Sequence, residues 1–319
     1  MTNPAAKSRS CFPGSFFLPI LLLFVLLSFP ALSVRGAASG LLLWFNVVLP
    51  TLAPFMICTQ MITALGGAQW MMRPFGSLLQ KLFGLSPSGA YILLCGLLCG
   101  YPLGAKMCAD FLGRGDISKR EAACLLAICN HPSPMFLSGY VRSQLPVPVS
   151  PVLLFAGLYL PILPISFAAR CFYGKESRFG QQAQAGTPSP HPSDPPSLED
   201  VIASVCETMV IIGGYIMLFS ILVVWIEKFP FGSPAVRAFL TGAAEITTGV
   251  SSLCRFFHDK KALMSVICAV AFGGFSGIFQ TRSVIRGSGL SIRQYVGWKL
   301  FHALLSCLIT AFLLSLPVR

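Results

Sequence analysis

Residues 99–106 read CGYPLGAK, a glycine- and proline-rich break inside a segment that is otherwise apolar. Two further breaks follow, NHPSP at residues 130–134 and GGFSG at residues 273–277. In a lipid bilayer, an unpaired backbone N–H or C=O costs several kcal/mol, so a broken helix persists only inside protein or beside a water-filled cavity. Paired broken helices are typical of proteins that hold a solute or ion near the middle of the membrane.

The composition indicates an all-α, polytopic membrane protein. The chain has 319 residues, of which 55% are hydrophobic and only 11% are charged, whereas soluble domains carry roughly a quarter charged residues. A net charge of +12 suggests nucleic acid at first sight. The basic residues, however, are scattered near the ends of apolar segments, as the positive-inside rule and contact with anionic lipid require. We therefore expect the lipid bilayer, and no nucleic acid, as a partner.

The apolar runs predict about eight hydrophobic segments and a division of the chain into four parts. A run over 16–34 predicts an uncleaved first helix, although Ala31-Leu32-Ser33 leaves cleavage open. Five prolines and many small polar residues in 174–198 predict a flexible cytoplasmic linker. The predicted parts are a signal-anchor helix (1–36), a first repeat with its connecting helix (37–173), the linker (174–198) and a second repeat (199–319).

The two halves of the chain echo each other at a constant offset of 173 residues. Gly100 matches Gly273, Gly104 matches Gly277, and Ser118 matches Ser291 at this offset. Such matches favour a genuine internal repeat with broken or re-entrant helices.

Three segments decide the predicted topology. We expect a re-entrant hairpin over 87–112 and an amphipathic interfacial helix over 68–84. Segment 235–256 stays open between two alternatives. An interfacial position would make the halves inverted repeats, whereas a membrane-spanning position would satisfy the positive-inside rule.

Seven residues are predicted to break the helices. Glycine tolerates positive φ and close backbone approach, and proline lacks the N–H that a helix interior needs. These residues are Gly100, Pro102, Gly104, Pro132, Pro134, Gly273 and Gly277.

Polar residues at and near the breaks predict a solute-binding site. Glu245 is the strongest candidate, because an acid inside an apolar stretch is functional by default. Its alternatives are an ion pair with a buried base and a location at the interface. Lys106 either meets a ligand or extends to the interface, and Asp110 at i+4 would neutralise it. The full candidate set is Tyr101, Lys106, Asn130, Ser133, Glu245, Thr248, Ser276 and Gln280.

The sequence carries no phosphate-loop, nucleophile-elbow or zinc signature. Cys95 and Cys99 share a helix face, but no second cysteine pair completes a metal site, and packing explains them better. We expect no enzymatic activity, no metal and no cofactor.

The motif GYPLGAK at 100–106 resembles that of the Gate, or nucleoside-recognition, domain family. The turn GRGDI at 113–117, Glu121, Asn130 and the pattern G-x-x-E-x-T-x-G at 242–249 are similar to the YlbJ group of sporulation integral membrane proteins. His131 departs from the family pattern, which more often has a small polar residue there. The resemblance implies a Gate-type fold of two repeats in a bacterial cell membrane, and a role in spore cortex formation.

Two functions are compatible with these features. The first is a multi-pass transporter of a small polar solute, whose site the broken helices build. The second is a non-transporting membrane scaffold for spore envelope assembly. A homo-oligomer and contacts with other sporulation membrane proteins stay open as partners.

Overall fold

The computed structural model describes residues 17–174, 196–229 and 232–316, and this part of the chain contains helices and no strands. The predicted linker therefore lies largely outside the described residues. The first half holds α1 (Phe17–Ser28), α2 (Pro30–Leu43), α3 (Leu49–Ala64), α4 (Ala68–Met72), α5 (Gly76–Phe83), α6 (Pro87–Cys99), α7 (Leu103–Arg114), α8 (Lys119–Ile128), α9 (Arg142–Gln144), α10 (Pro151–Tyr159) and α11 (Ile162–Tyr173). The second half holds α12 (Leu198–Lys228), α13 (Pro234–Ala244), α14 (Ile246–Phe256), α15 (Asp259–Phe272), α16 (Gly274–Val284) and α17 (Ile292–Ser315).

The protein crosses the membrane several times, which confirms the predicted fold class. Five stretches of the described residues are long and apolar enough to span a bilayer: Pro30–Ala64, Pro151–Tyr173, Leu198–Lys228, Asp259–Val284 and Ile292–Ser315. A sixth arises if α5 and α6, whose axes differ by 97°, form one bent span. The total is below the eight predicted segments, because several apolar runs fold into short helices rather than separate spans.

The N-terminal apolar runs are divided differently from the prediction. The predicted helix over 16–34 ends at Ser28, because Phe29 leaves the helical region and Pro30 starts a new helix. From Pro30 the chain stays helical to Ala64, through a π-helical turn at 44–48. The proposed boundary after residue 36 thus falls inside α2, and the division into domains stays a prediction.

Two glycines let α2 lie directly against α12, the first helix after the linker. A Cβ on Gly36 would stand 2.7 Å from the Cα of Ile221, and one on Gly40 would stand 2.8 Å from the Cα of Met217. Small residues four apart are the usual device for such close approach of membrane helices. This contact joins the N-terminal helices to the second half of the chain.

Segment 235–256, whose topology the sequence left open, is a helical hairpin. Helices α13 and α14 meet at Glu245, whose backbone is extended (φ −141°, ψ 123°). The two helices pack so closely that a Cβ on Gly249 would collide with the backbone of Gly242. The segment is therefore not one continuous spanning helix, and the choice between the two predicted positions in the bilayer stays open.

Segment 68–84 also differs from the single interfacial helix that was predicted. It forms two short helices, α4 and α5, separated by a turn at residues 73–75. Helix α5 ends at Gly84 in the left-handed conformation (φ 63°), which a glycine adopts without strain.

The helix boundaries of the two halves follow the 173-residue offset. Helix α6 ends at Cys99 and α15 ends at Phe272, which is 173 residues later. Helix α8 begins at Lys119 and α17 begins at Ile292, again 173 residues later. Ser118 and Ser291, which precede these helices, both accept a hydrogen bond from the backbone N–H three residues on, as N-cap residues do.

Candidate functional site

The breaks between helices meet around one pocket inside the protein. The space between its lining residues is about 510 Å³, a volume that includes the part open to the surroundings. The break between α6 and α7, the bend between α13 and α14, and the first turn of α16 all contribute to it. The lining residues are Val48, Thr51, Leu52, Cys99, Gly100, Tyr101, Pro132, Ser133, Phe136, Ile216, Glu245, Ile246, Thr247, Ser276, Gly277 and Gln280.

Five of the eight predicted solute-binding residues line this pocket. Tyr101, Ser133, Glu245, Ser276 and Gln280 come from four separate segments of the chain and are brought together there. Their roles in binding stay predictions, but their convergence is the geometry that a shared site requires. The other three, Lys106, Asn130 and Thr248, are not among the lining residues.

Glu245 is buried and caps helix α14. The side chain is 2% exposed. Its Oε1 accepts the backbone N–H of Thr247 at 3.0 Å, and its Oε2 accepts that of Thr248 at 2.7 Å. The ion-pair alternative considered from the sequence is therefore absent among the described residues, whereas the interfacial alternative stays open. No base of the described residues forms an ion pair with Glu245, and the side chain lies in the protein interior, where backbone donors stabilise its charge.

Three helices begin at the pocket. Helix α7 starts just after Tyr101, α14 starts just after Glu245, and α16 contributes Ser276 and Gly277 from its first turn. The first N–H groups of a helix lack intrahelical partners and carry a partial positive charge. Glu245 satisfies two such groups on α14. The pocket thus combines one carboxylate with backbone donors, and this mixture suits a small polar solute.

Tyr101 packs against two of the three glycines in the third break, Gly273 and Gly277. A Cβ on Gly277 would stand 3.4 Å from the Tyr101 ring, and one on Gly273 would stand 4.0 Å from it. Gly273 and Gly274 both have positive φ (83° and 69°). Helix α15 ends just before them and α16 begins at Gly274, yet the two helices together form the single candidate span Asp259–Val284. The third break is therefore a local distortion between two helices of one candidate span.

The first two breaks fit into each other. Gly100 has φ 88°, and a Cβ there would stand 2.8 Å from the backbone nitrogen of Ser133. A Cβ on Gly96 or on Gly104 would collide with the carbonyl oxygen of Cys129. Because these glycines have no side chain, the segment 129–134 packs directly between α6 and α7.

Lys106 and Thr248 have other partners. The Lys106 ammonium lies 3.8 Å from the Asp110 carboxylate one helical turn later, which is the neutralised arrangement considered from the sequence. Thr248 contributes its backbone N–H to Glu245. Both residues therefore act beside the pocket rather than in its wall.

Asn130 joins the second break to the second half of the chain. Its side chain is 1% exposed, and its Nδ2 donates to the Thr281 hydroxyl at 2.9 Å and to the Tyr295 hydroxyl at 2.8 Å. Thr281 lies on α16 and Tyr295 on α17. The role of Asn130 is thus to hold three segments together behind the pocket.

We expect Asn130→Leu to lower the free energy of unfolding by about 1–3 kcal/mol, because two buried hydroxyls lose a hydrogen-bond partner. The thermal midpoint of the purified protein in detergent measures this loss. Asn46→Leu is the matched control, since Asn46 is exposed on the outer surface. Equal midpoints for the two variants would contradict the assigned role.

Sequence analysis missed a polar cluster behind the pocket. Lys299 and His302 on α17 are 1% and 0% exposed, and the rings of His302 and His131 lie 4.3 Å apart. The signal was the regular spacing of polar residues within the last apolar segment. The row consists of Tyr295, Lys299, His302, Ser306 and Thr310.

One curated protein is similar over most of the chain. The Sporulation integral membrane protein YlbJ of Bacillus subtilis (strain 168) is 26% identical over 332 aligned positions, which cover 91% of this chain and 79% of that protein. No protein-family model matches the chain, and no solved structure matches it. The similarity and the spans agree that this is a multi-pass membrane protein.

Proposed function

We propose that this protein is a membrane transporter of a small polar solute and acts in spore formation. The observation that carries the proposal is the pocket in which a buried carboxylate, Glu245, meets the ends of broken helices. Helices interrupted at membrane depth are the usual way in which transporters build a solute site. The link to sporulation rests on the similarity to a sporulation integral membrane protein. The more specific role in spore cortex formation comes from the family resemblance of the sequence motifs.

The proposed fold is of the Gate type, with two repeats on either side of the linker. The shared 173-residue offset of the helix ends supports two related halves. The repeats are imperfect, since the break at 129–134 has no counterpart in α17, which runs unbroken from Ile292 to Ser315. A family name that mentions nucleosides describes a fold and does not by itself define the solute.

The pocket indicates which chemistry the solute has. Glu245 provides acceptor oxygens, whereas Ser133, Ser276 and Gln280 provide groups that both donate and accept. Gln280 already donates to the Ser276 hydroxyl at 3.1 Å, which leaves its amide oxygen for other donors. Apolar walls from Leu52, Ile216 and Phe136 favour a ligand with a flat or apolar part. A neutral or cationic solute with N–H or O–H groups fits this combination.

A thermal stability panel in detergent tests the proposal. Nucleosides, nucleobases, amino acids and divalent metal ions are added separately to the purified full-length protein. A ligand at 100 times its Kd stabilises the folded state by about 2.7 kcal/mol. We expect one solute class to raise the thermal midpoint, and we expect Glu245→Gln to remove that shift because the pocket loses its charged acceptor.

Glu207→Gln is the matched control for the panel. Glu207 lies on α12, is exposed and does not line the pocket, so its variant should keep the ligand-induced shift. A panel without any shift, or a shift that Glu245→Gln leaves intact, would count against a solute site at the pocket. The scaffold alternative would then gain support.

A further inference from the structure

The buried face of α17 is polar and its outer face is apolar. Tyr295, Lys299, His302, Ser306 and Thr310 are 3% exposed or less, although Leu300, Leu304, Leu308 and Phe312 on the other faces are 57–63% exposed. From Tyr295 to Thr310 the helix rises about 22 Å at 1.5 Å per residue. That distance covers most of a hydrocarbon core of about 30 Å. The polar row therefore forms a continuous interior strip across much of the membrane.

Lys299 is the charged member of this strip and has no acidic partner among the described residues. Its Nζ donates to the backbone carbonyl of Asn130 at 3.4 Å, an oxygen that the prolines of the second break leave outside any helix. A charge at membrane depth is costly without a counter-charge. Lys299 must therefore either meet an anion from outside or be able to release its proton.

The space around Lys299 favours release of its proton over binding of an anion. Lys299 does not line the pocket. Its side chain and the Tyr101 ring flank the same glycine, because a Cβ on Gly273 would stand 3.5 Å from the Lys299 Cε and 4.0 Å from Tyr101. An anion needs a cavity of its own size, whereas a proton moves between packed polar groups.

The neutral His302 imidazole carries one N–H and is placed so that it can take up a proton on its other ring nitrogen. Its Nε2 lies 2.8 Å from the Leu158 carbonyl oxygen, and its Nδ1 lies 3.3 Å from the Ala271 carbonyl oxygen. A neutral imidazole has one N–H and satisfies one of these oxygens, whereas an imidazolium donates to both. Lys299 lies one turn before His302 on the same helix face, where side chains three apart are neighbours.

The other titratable groups around Lys299 and His302 come from three further elements. His131 of the second break stacks edge-on against His302, and neither of its ring nitrogens has a hydrogen-bond partner of good geometry in the described part of the chain. Tyr159 of α10 donates to the Pro132 carbonyl at 2.8 Å. Tyr295 lies on α17 itself, and Tyr101 lies toward the pocket and Glu245.

We propose that Lys299 and His302, with His131, form a proton-binding relay that couples solute movement through the pocket to protons. In the relay, an N–H bond of the Lys299 ammonium breaks as an N–H bond forms at the His302 imidazole, so one charge moves along α17 without net change. The hydroxyls of Ser306 and Thr310, which have no partner within the described residues, extend the path. This inference rests on the proposed transport function and specifies its coupling ion.

Proton and solute movement are measured together in liposomes that contain the full-length protein and the pH dye pyranine. The outside buffer is more acidic, the membrane potential is negative inside, and tritiated uridine, tritiated alanine or manganese is added as probe. A parallel set replaces the pH gradient by a sodium gradient. We expect internal acidification with uptake of one probe, and a loss of about tenfold or more in both rates for Lys299→Met.

Two further variants separate a proton role from a structural charge. Arginine keeps the charge of lysine but stays protonated, so Lys299→Arg should be as defective as Lys299→Met if the proton must leave. His302→Gln should be defective as well, which tests the relay independently of position 299. Lys261→Met, at an exposed lysine of α15, is the matched control and should behave as the wild type. Each variant is first checked for an unchanged thermal midpoint.

Every outcome decides the inference. Acidification together with uptake, both lost in all three relay variants, supports it, whereas acidification without uptake of any probe would count against the coupling and against solute transport. Uptake without acidification, uptake driven by sodium alone, or normal rates in Lys299→Arg would overturn the relay and leave the transport proposal intact. Neither uptake nor acidification in the wild type would overturn both.

Discussion

Gly104→Ala should destabilise the protein by about 3 kcal/mol, at the upper end of the usual cost of inserting one methyl group into a packed interior. The added Cβ would collide with the carbonyl oxygen of Cys129. Backbone cannot move aside as the end of a flexible side chain can. The same oxygen also faces Gly96, so α6 and α7 would have to separate and the wall of the pocket would widen.

Gly113→Ala on the same helix is the matched control. A Cβ on Gly113 meets no atom within 4 Å, and alanine is the better helix former by about 0.5–1 kcal/mol. The control should therefore be neutral or slightly more stable. Thermal midpoints in detergent compare the two variants, and a midpoint for Gly104→Ala within the scatter of the control would refute the close contact.

Glu245→Leu should lower the free energy of unfolding by about 2–4 kcal/mol. The change leaves the backbone N–H groups of Thr247 and Thr248 without their acceptor, and each unsatisfied buried donor costs about 1–3 kcal/mol. Thr247 is 3% exposed, so water does not replace the lost carboxylate easily. Glu245→Gln retains one acceptor oxygen and should therefore cost less than half as much.

The graded pair of Glu245 variants distinguishes capping from solute binding. If Glu245 acts only through the pocket, Leu and Gln variants should have similar midpoints without ligand and should both lose the ligand-induced shift. If it also caps α14, the Leu variant should be clearly less stable without any ligand. Glu207→Leu is the control for replacing an acid by leucine on a membrane helix, because Glu207 is exposed.

The places where helices break could be predicted from local chemistry. Glycine and proline act within one or two residues of their position, so the ends at Cys99 and Ile128 fall where the motifs at 99–106 and 130–134 place them. Five pocket residues followed from the same reasoning, since polar groups at a membrane-embedded break need a shared interior site.

The direction of the chain after a break depends on contacts that are distant in sequence. Nothing local distinguishes the distortion at Gly273, which continues as one span, from the turn at Glu245, which reverses the chain into a hairpin. The contact of Gly249 with Gly242 makes that difference. The five polar residues of α17 stand at helical spacing in the sequence. Apolar residues outnumber them in the same segment, however, and hide this helical period in a hydropathy pattern.

The hydrogen bonds of Asn130 have a mechanical consequence. A rocking motion of the two halves as rigid bodies would have to pull Asn130 away from Thr281 and Tyr295 in every cycle. A swing of the α13–α14 hairpin leaves those bonds in place and breaks instead the bond from the Tyr140 hydroxyl to the Thr247 carbonyl, at 2.8 Å. In the proposed transport cycle, movement of the hairpin that carries Glu245 would therefore break fewer of these three hydrogen bonds than movement of the two halves against each other.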